Sequence, residues 1–231
     1  PNLKAMQQEG VTFSHYFVSN SLCCPSRASI FTGKLPHNSG VQTNTMPNGG
    51  YERFMENGNA EVSFCTALQA KGYKTAMMGK LLNGYLPGTH PPLPGWSDWF
   101  VSGAGYRNFD YDINSNGRLL HYGNAPVDYL TDVLSARTDS LINAWKSEPF
   151  FIEIATFTPH GPFIPAPRHQ QLFTTEKAPR TAAFNKQADS TAPGWLRQIK
   201  PLGIKKIDRI DEIFRNRLRC VMSIDEMLGN I

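Results

Sequence analysis

The sequence predicts an α/β protein with a mostly parallel central sheet and helices on both faces, and three stretches support this prediction. Residues 11–18 are rich in β-branched and aromatic side chains, as strands are, and lead into a helical stretch. Residues 72–80 form a short apolar run that ends in glycine and lysine. Residues 149–157 are almost continuously apolar, a pattern typical of a strand buried on both faces of a parallel sheet.

Size and composition describe a globular chain. The 231 residues are enough for one substantial core, and the hydrophobic fraction of 40% and charged fraction of 18% are ordinary. No apolar run approaches the roughly 20 residues that cross a bilayer. Residues 1–4 contain no apolar signal core, which does not exclude export of a trimmed chain.

The net charge of +4 is small, and the basic residues are scattered. Their densest cluster is expected to be a solvated helix face and not a nucleic-acid surface, because no stacking aromatic residues accompany it. This cluster consists of Lys200, Lys205, Lys206 and Arg209.

The four cysteines lie at positions 23, 24, 65 and 220. The vicinal pair Cys23 and Cys24 is poorly placed to form a disulfide, and no spacing matches a zinc site. Cys65 and Cys220 lie in apolar helical patterns, where buried free thiols are expected.

Periodicity and turn residues predict the remaining elements in chain order. Gly10 ends a helix over residues 1–9, and the Asn-, Gly- and Pro-rich residues 36–60 form a long loop. His37 in this loop is expected to be structural or solvated and not a ligand. A helix is expected over residues 61–71.

The second half of the chain alternates in the same way. A strand is expected to resume at residues 96–101, and a hairpin turns about Asn114-Ser115-Asn116-Gly117. Later segments are an amphipathic helix at 128–146, a loop with local helix at 164–205, and a last amphipathic helix at 207–228.

The stretch from residue 21 to residue 34 carries the first chemical signal. Pro25 suits the first helical position, and Gly33 suits the left-handed residue that ends a helix. Cys23 and Arg27 are four residues apart, so a regular first turn places them on one face. A nucleophile precursor, a fixed cation and free amides at a helix start together form an anion site.

Two further polar residues follow predicted strands. Lys80 ends the strand at 72–80, and His160 follows the strand at 149–157. Ligands of parallel sheets bind at the carboxyl ends of strands, so both residues can join the anion site. Taken alone, Lys80 would be a solvated edge charge and His160 a turn residue. Glu153, inside the apolar run, has no explanation in the sequence.

Three motifs resemble those of the type I sulfatases. The string Cys23-Cys24-Pro25-Ser26-Arg27, followed by a helix that ends in Thr-Gly, resembles the family signature. Residues 72–80 resemble the second signature, Gly-Tyr-x-Thr-x-x-apolar-Gly-Lys, and His160 lies in a Pro-His-x-Pro context. The resemblance implies an alkaline-phosphatase-like sandwich in which Cys23 is oxidised to formylglycine and Cys24 occupies the variable position.

The residues after Lys80 indicate which branch of the family the sequence resembles. Many family members carry a histidine at the position of Leu82, whereas here Asn83 follows. The segment is similar to the N-acetylglucosamine-6-sulfatase and related arylsulfatase branch. The resemblance therefore implies a sulfuric ester hydrolase that acts on a sulfated sugar or an aryl sulfate.

The resemblance also implies roles for the site residues. Cys23, Arg27, Lys80 and His160 would be catalytic, and Lys80 and His160 would also bind the sulfate. Formylglycine at position 23 would join a Ca²⁺ site whose acidic ligands are not in this sequence. We therefore expect residues 1–231 to be a single partial catalytic domain, inactive by itself, that lacks the first strand and the C-terminal half.

Partners and location follow from the same resemblance. The implied partners are a sulfated carbohydrate or aryl sulfate and a formylglycine-generating enzyme, with no nucleic acid and no membrane span. An exported location, whether periplasmic, secreted or lysosomal, is favoured over the cytoplasm.

Two other readings remain open at this point. A phosphonate or phosphate ester hydrolase of the same fold could share the cysteine motif, and so could a non-catalytic carbohydrate-binding relative. A cysteine-based phosphatase loop needs five residues between cysteine and arginine, but only three separate Cys23 from Arg27.

Overall fold

The computed structural model describes residues 1–231, which form eight α-helices and five strands joined by turns and short 3₁₀ segments. The helices are α1 (Asn2–Glu9), α2 (Cys23–Thr32), α3 (Pro36–Ser39), α4 (Gly50–Glu56), α5 (Phe64–Ala70), α6 (Leu130–Trp145), α7 (Gly194–Arg197) and α8 (Ile204–Asn230). The strands are β1 (Lys74–Lys80), β2 (Asp98–Ser102), β3 (Tyr111–Ser115), β4 (Arg118–Tyr122) and β5 (Phe150–Ala155). None of the helices combines the length and apolar composition needed to cross a lipid bilayer.

The five strands form one mixed sheet in the order β4-β3-β2-β1-β5. Strand β1 runs parallel to both β2 and β5, whereas β2, β3 and β4 are antiparallel neighbours. The antiparallel part follows from the predicted hairpin, because its tight turn at Asn116 and Gly117, both with positive φ, joins only antiparallel strands. The parallel part of the sheet is therefore confined to three strands.

Helices cover both faces of the sheet, as expected. On one face, Ala76 and Met78 of β1 belong to the same core as Leu134 of α6. On the other face, Met77 belongs to a core that includes Phe31 of α2. Because successive residues of a strand point to opposite faces, β1 contributes to both cores and is the central element of the fold.

Residues 11–18 differ from their prediction, because they form no strand and their large apolar side chains are exposed. Strand preference reflects packing and hydrogen bonding with a neighbouring strand, and these residues have no such neighbour. The expectation for residues 149–157 is also corrected. Strand β5 lies at the edge of the sheet, pairs only with β1, and is half-buried over most of its length.

Other predicted elements need smaller corrections. The helix α2 begins at Cys23, so Pro25 is its third residue; the missing amide is tolerated there because the first four amides have no intrahelical acceptor. Gly33 ends this helix in the left-handed region, as predicted. The long loop at 36–60 contains α3 and α4. The thiols of Cys65 and Cys220 are free and buried, as expected.

Gly79, the residue before Lys80, is constrained by its backbone and by its surroundings. Its φ is +89°, and an added Cβ would lie 2.2 Å from the carbonyl oxygen of Ala155 in β5. We expect Gly79→Ala to lower the free energy of unfolding by about 3 kcal/mol, because the left-handed backbone and the clash both oppose the methyl group. Chemical denaturation measures this loss.

Gly117 provides the matched control for this substitution. Its φ is also +89°, but no atom lies within 4 Å of an added Cβ. Gly117→Ala should therefore lower the free energy of unfolding by only about 1–2 kcal/mol, the cost of the left-handed backbone. Equal losses in the two variants would contradict the contact that we assign to Gly79.

Candidate functional site

Cys23, Arg27, Lys80 and His160 line one cleft of about 500 Å³. The cleft lies where the first turn of α2 meets the carboxyl ends of β1 and β5, the edge of the sheet at which ligands of α/β proteins bind. The structure thus brings the four predicted site residues together. His37 is exposed and lies outside this cleft.

Lys80 lies at the centre of the cleft. Its Nζ lies 3.3 Å from the Sγ of Cys23, and the Nη1 of Arg27 donates a hydrogen bond of 2.7 Å to its backbone carbonyl oxygen. Lys80 is only 5% exposed, and it forms no ion pair with a carboxylate. A buried cation without a carboxylate partner is costly unless another anion neutralises it, so this site is suited to an anionic ligand.

Arg27 provides a second cation in the cleft and explains Glu153. Burial lowers the pKa of Arg27, whereas the nearby Glu153 carboxylate opposes that shift. Burial also raises the pKa of Glu153, and the Arg27 guanidinium opposes this shift. Glu153 therefore lines the cleft beside Arg27 and interrupts the apolar pattern of β5 for an electrostatic reason.

The two vicinal cysteines have different environments. Cys23 is partly exposed and faces the cleft, whereas Cys24 is 0% exposed. The Sγ of Cys24 accepts a hydrogen bond of 3.1 Å from the backbone amide of Asn83, and its own amide donates to the Oδ1 of Asn44 at 2.8 Å. Burial raises the pKa of the Cys24 thiol. Cys24 is therefore a structural residue, and Cys23 is the accessible thiol of the pair.

Tyr106 contacts two cleft residues and was not predicted from the sequence. The Nζ of Lys80 lies 4.9 Å from the centre of its ring, within the range of a cation–π contact. Its ring centre lies 4.9 Å from that of His160, and its hydroxyl accepts a hydrogen bond of 3.3 Å from the Nδ2 of Asn83. Tyr106 therefore contacts both strand-end residues. No motif marked it, because it lies in the irregular segment before the hairpin.

His160 is oriented by its own loop. Its Nδ1 lies 2.8 Å from the carbonyl oxygen of Gly161, which can only accept, so Nδ1 carries a proton and Nε2 is available to exchange one. The loop is held by the hydroxyl of Thr158, which donates to the Oδ1 of Asn108 at 3.0 Å. His160 is thus an exposed imidazole at the rim of the cleft with a defined orientation.

The cleft residues do not fit the implied metal. Calcium takes six to eight oxygen ligands, mostly from carboxylates and carbonyls. No group of three or more His, Cys, Asp or Glu side chains in residues 1–231 is arranged to hold a metal ion.

Comparisons with known proteins match the whole chain to one family. The family model described as Sulfatase matches residues 1–231. The chain is 39% identical over 232 residues to the N-acetylglucosamine-6-sulfatase of Homo sapiens, covering 96% of this chain and 42% of that protein. It is 27% identical over 228 residues to an extracellular sulfatase SULF-1 homolog of Drosophila melanogaster, covering 96% of this chain and 20% of that protein. The chain thus spans less than half the length of these relatives.

A solved structure supports the fold assignment. The structure of BT4656 in complex with its substrate D-glucosamine-2-N,6-O-disulfate superposes with a TM-score of 0.75 at 21% identity, covering 99% of this chain and 55% of that one. This likeness confirms the expected alkaline-phosphatase-like α/β fold. Because the family model matches every residue and the motif residues meet in one cleft, the chain belongs to the sulfatase family.

Proposed function

We propose that the protein containing this chain is a sulfuric ester hydrolase that removes sulfate from a sulfated sugar of the N-acetylglucosamine 6-sulfate type, and also from aryl sulfates. The observation that carries the proposal is the buried Lys80 ammonium, which lacks a carboxylate partner and lies 3.3 Å from the Cys23 thiol. The human relative named N-acetylglucosamine-6-sulfatase and the neighbour that binds a disulfated glucosamine support this substrate class.

We propose that Cys23 is the precursor of formylglycine, formed by a maturation enzyme that acts on the protein. Its accessible side chain at the mouth of the cleft fits this role, whereas Cys24 is enclosed. Hydrated formylglycine supplies one hydroxyl group to attack sulfur and a second whose deprotonation releases the sulfate.

The cleft cations would bind and stabilise the charge of the reacting group. Lys80, whose Nζ lies 3.3 Å from the Sγ of Cys23, would contact a sulfonyl oxygen beside position 23, and Arg27 would hold the side chain at that position. Both are fixed before the reaction, Arg27 by its bond to the Lys80 carbonyl and Lys80 by burial. Each such preorganised donor typically lowers the barrier by roughly 3–4 kcal/mol.

We assign His160 the role of general acid toward the departing alcohol. The proton on Nδ1 is held by the Gly161 carbonyl, so Nε2 is the nitrogen that can give a proton to the leaving oxygen. Poor leaving groups need this proton most, because their alkoxides are the least stable.

We further propose that residues 1–231 are one part of a larger catalytic domain. The first strand, the C-terminal half and the carboxylates of a calcium site would then come from the rest of the protein, so the chain by itself would be inactive. The extracellular relative supports an exported location.

The function is tested with the full-length protein, produced together with a maturation enzyme. We expect hydrolysis of an aryl sulfate and of N-acetylglucosamine 6-sulfate, and an aldehyde at position 23 in the mass spectrum of its peptide. Cys23→Ala should abolish turnover, whereas Cys65→Ala, which alters a buried thiol in α5, should retain it. Faster cleavage of a phosphonate diester would favour the esterase alternative, and an unmodified, inactive thiol would favour a non-catalytic relative.

The different environments of the cysteines predict selective alkylation of the unconverted protein. In the native state we expect iodoacetamide to label Cys23 alone, because the other three thiols are buried. Burial also raises the pKa of Cys65 to about 12 and that of Cys220 to about 11, which keeps both protonated at pH 8. Peptide mass spectrometry measures the labelling, and in denaturant all four cysteines should react. Native labelling of Cys24 at a comparable rate would contradict the assignment of Cys23.

The role of His160 predicts a loss of rate that depends on the leaving group. His160→Ala should lower kcat by about 10²–10⁴-fold for an alkyl sulfate and by much less for an activated aryl sulfate. An equal loss of kcat for all esters would contradict the general-acid role and indicate that His160 only binds the sulfate.

Tyr106→Leu should produce a smaller version of the same leaving-group dependence, because it removes the ring that contacts His160 and Lys80. Tyr106→Phe keeps that ring and loses only the hydroxyl bonded to Asn83, so it should retain most of the activity.

A further inference from the structure

We propose that residues 185–209 form a docking surface for a sulfated polysaccharide, separate from the cleft. The proposal rests on the proposed function, since the ester cleaved in the cleft would belong to the same polymer. The surface consists of the loop at 185–187, the segment at 193–203 that includes α7, and the first turns of α8.

Charge is distributed unevenly along the chain, and this asymmetry is the first observation. Residues 177–219 contain eleven Lys and Arg against four Asp and Glu, whereas the rest of the chain contains twelve against fifteen. The small net charge of +4 is therefore the sum of a strongly basic segment and a slightly acidic remainder. A basic surface of this kind attracts polyanions and raises their rate of association.

Most cations of this segment are not engaged by carboxylates. Within residues 177–219 the only ion pairs are Arg180–Asp211 and Arg209–Glu212. Within the docking surface itself, residues 185–209, five exposed cations have no ion-pair partner: Lys186, Arg197, Lys200, Lys205 and Lys206. Their charges are therefore available to sulfate groups.

Tertiary hydrogen bonds gather these cations in one place. The Nδ2 of Asn185 donates to the carbonyl oxygen of Leu202 at 3.1 Å, and the Nε2 of Gln187 donates to that of Arg197 at 2.8 Å. Lys186, between these two anchors, is thereby held against the segment that carries the other cations. A cavity of about 640 Å³ is lined by residues 199–206, which include three lysines and no acidic residue.

The surface also offers apolar contact suited to sugar rings. Trp195 in α7 is 68% exposed, and Ile199 and Ile204, which line the lysine cavity, are also exposed. The ring faces of a sugar are apolar while its sulfates are anionic, so an indole among lysines matches both properties. A single exposed indole is not a platform for successive bases, which argues against nucleic acid as the occupant.

The basic surface continues along α8 toward the cleft. The guanidinium of Arg217 lies 6.0 Å from the ring centre of Phe163, whose amide donates to the carbonyl oxygen of His160 at 3.2 Å. Lys206, Arg209 and Arg217 fall within about a quarter of the helix circumference, and Lys206 lies about 16 Å along the helix from Arg217. A polysaccharide long enough to span this distance could occupy the cleft and the surface together.

The test compares two triple variants of the full-length protein with the same loss of charge. The surface variant carries Lys200→Gln, Lys205→Gln and Lys206→Gln. The control variant carries Lys4→Gln, Lys71→Gln and Lys146→Gln, which replace three exposed lysines elsewhere. Binding to heparin, to fully desulfated heparin and to single-stranded DNA is measured as a function of salt, alongside turnover of a small aryl sulfate.

We expect the surface variant to bind heparin about tenfold more weakly at low salt, with a slope of log Kd against log salt reduced by about two to three. The control variant should stay within about twofold of the unaltered protein, and both variants should turn over the aryl sulfate normally. Equal weakening in the two variants, or binding of desulfated heparin or DNA as tight as that of heparin, would overturn the proposal. The protein could fail to turn over the aryl sulfate while the surface variant still binds heparin more weakly than the control variant. That result would support the docking surface and contradict only the proposed enzymatic function.

Discussion

The geometry of the cleft depends on the burial of one ammonium group. Lys80 ends the central strand β1, and the glycine before it lets β1 and β5 approach so closely that no side chain fits between them. The ammonium group thereby lies at the first turn of α2, where a thiol and an aromatic ring are its neighbours and no carboxylate forms an ion pair with it. The charge is stable in such a place only when an anion completes its surroundings.

Hydrogen bonds of Asn83 hold together the elements that form the cleft. Asn83 follows the end of β1 and bonds through its amide to the enclosed Cys24 thiol and through its side chain to the Tyr106 hydroxyl. The first turn of α2, the end of β1 and the segment before the hairpin are therefore linked at one residue. Asn83 thus supports the cleft through Tyr106 and Cys24, without itself lining the cleft.

The elements that could be predicted from the sequence are those whose local signals agree. The helix α2 combines a proline in its first turn with a left-handed glycine at its end, and the hairpin combines alternation with an Asn-Gly turn, so both can be predicted. The placement of Glu153 and Tyr106 could not be predicted, because each is fixed by residues distant in sequence: Arg27 for the first, and Lys80 and His160 for the second. Residues 11–18 show the opposite error. Their composition favours a strand, but they have no neighbouring strand to pair with.

The outer side of β5 has a consequence for how this chain behaves when handled by itself. Its backbone amides and carbonyls on that side have no sheet partner, and its sequence Phe-Phe-Ile-Glu-Ile-Ala interrupts a β-prone, apolar run with a single charge. Open edges of this composition readily recruit strands from other molecules and seed aggregation. Glu153 is the single charge in this strand and it lies in the cleft beside Arg27, so the isolated chain exposes an edge that is prone to self-association.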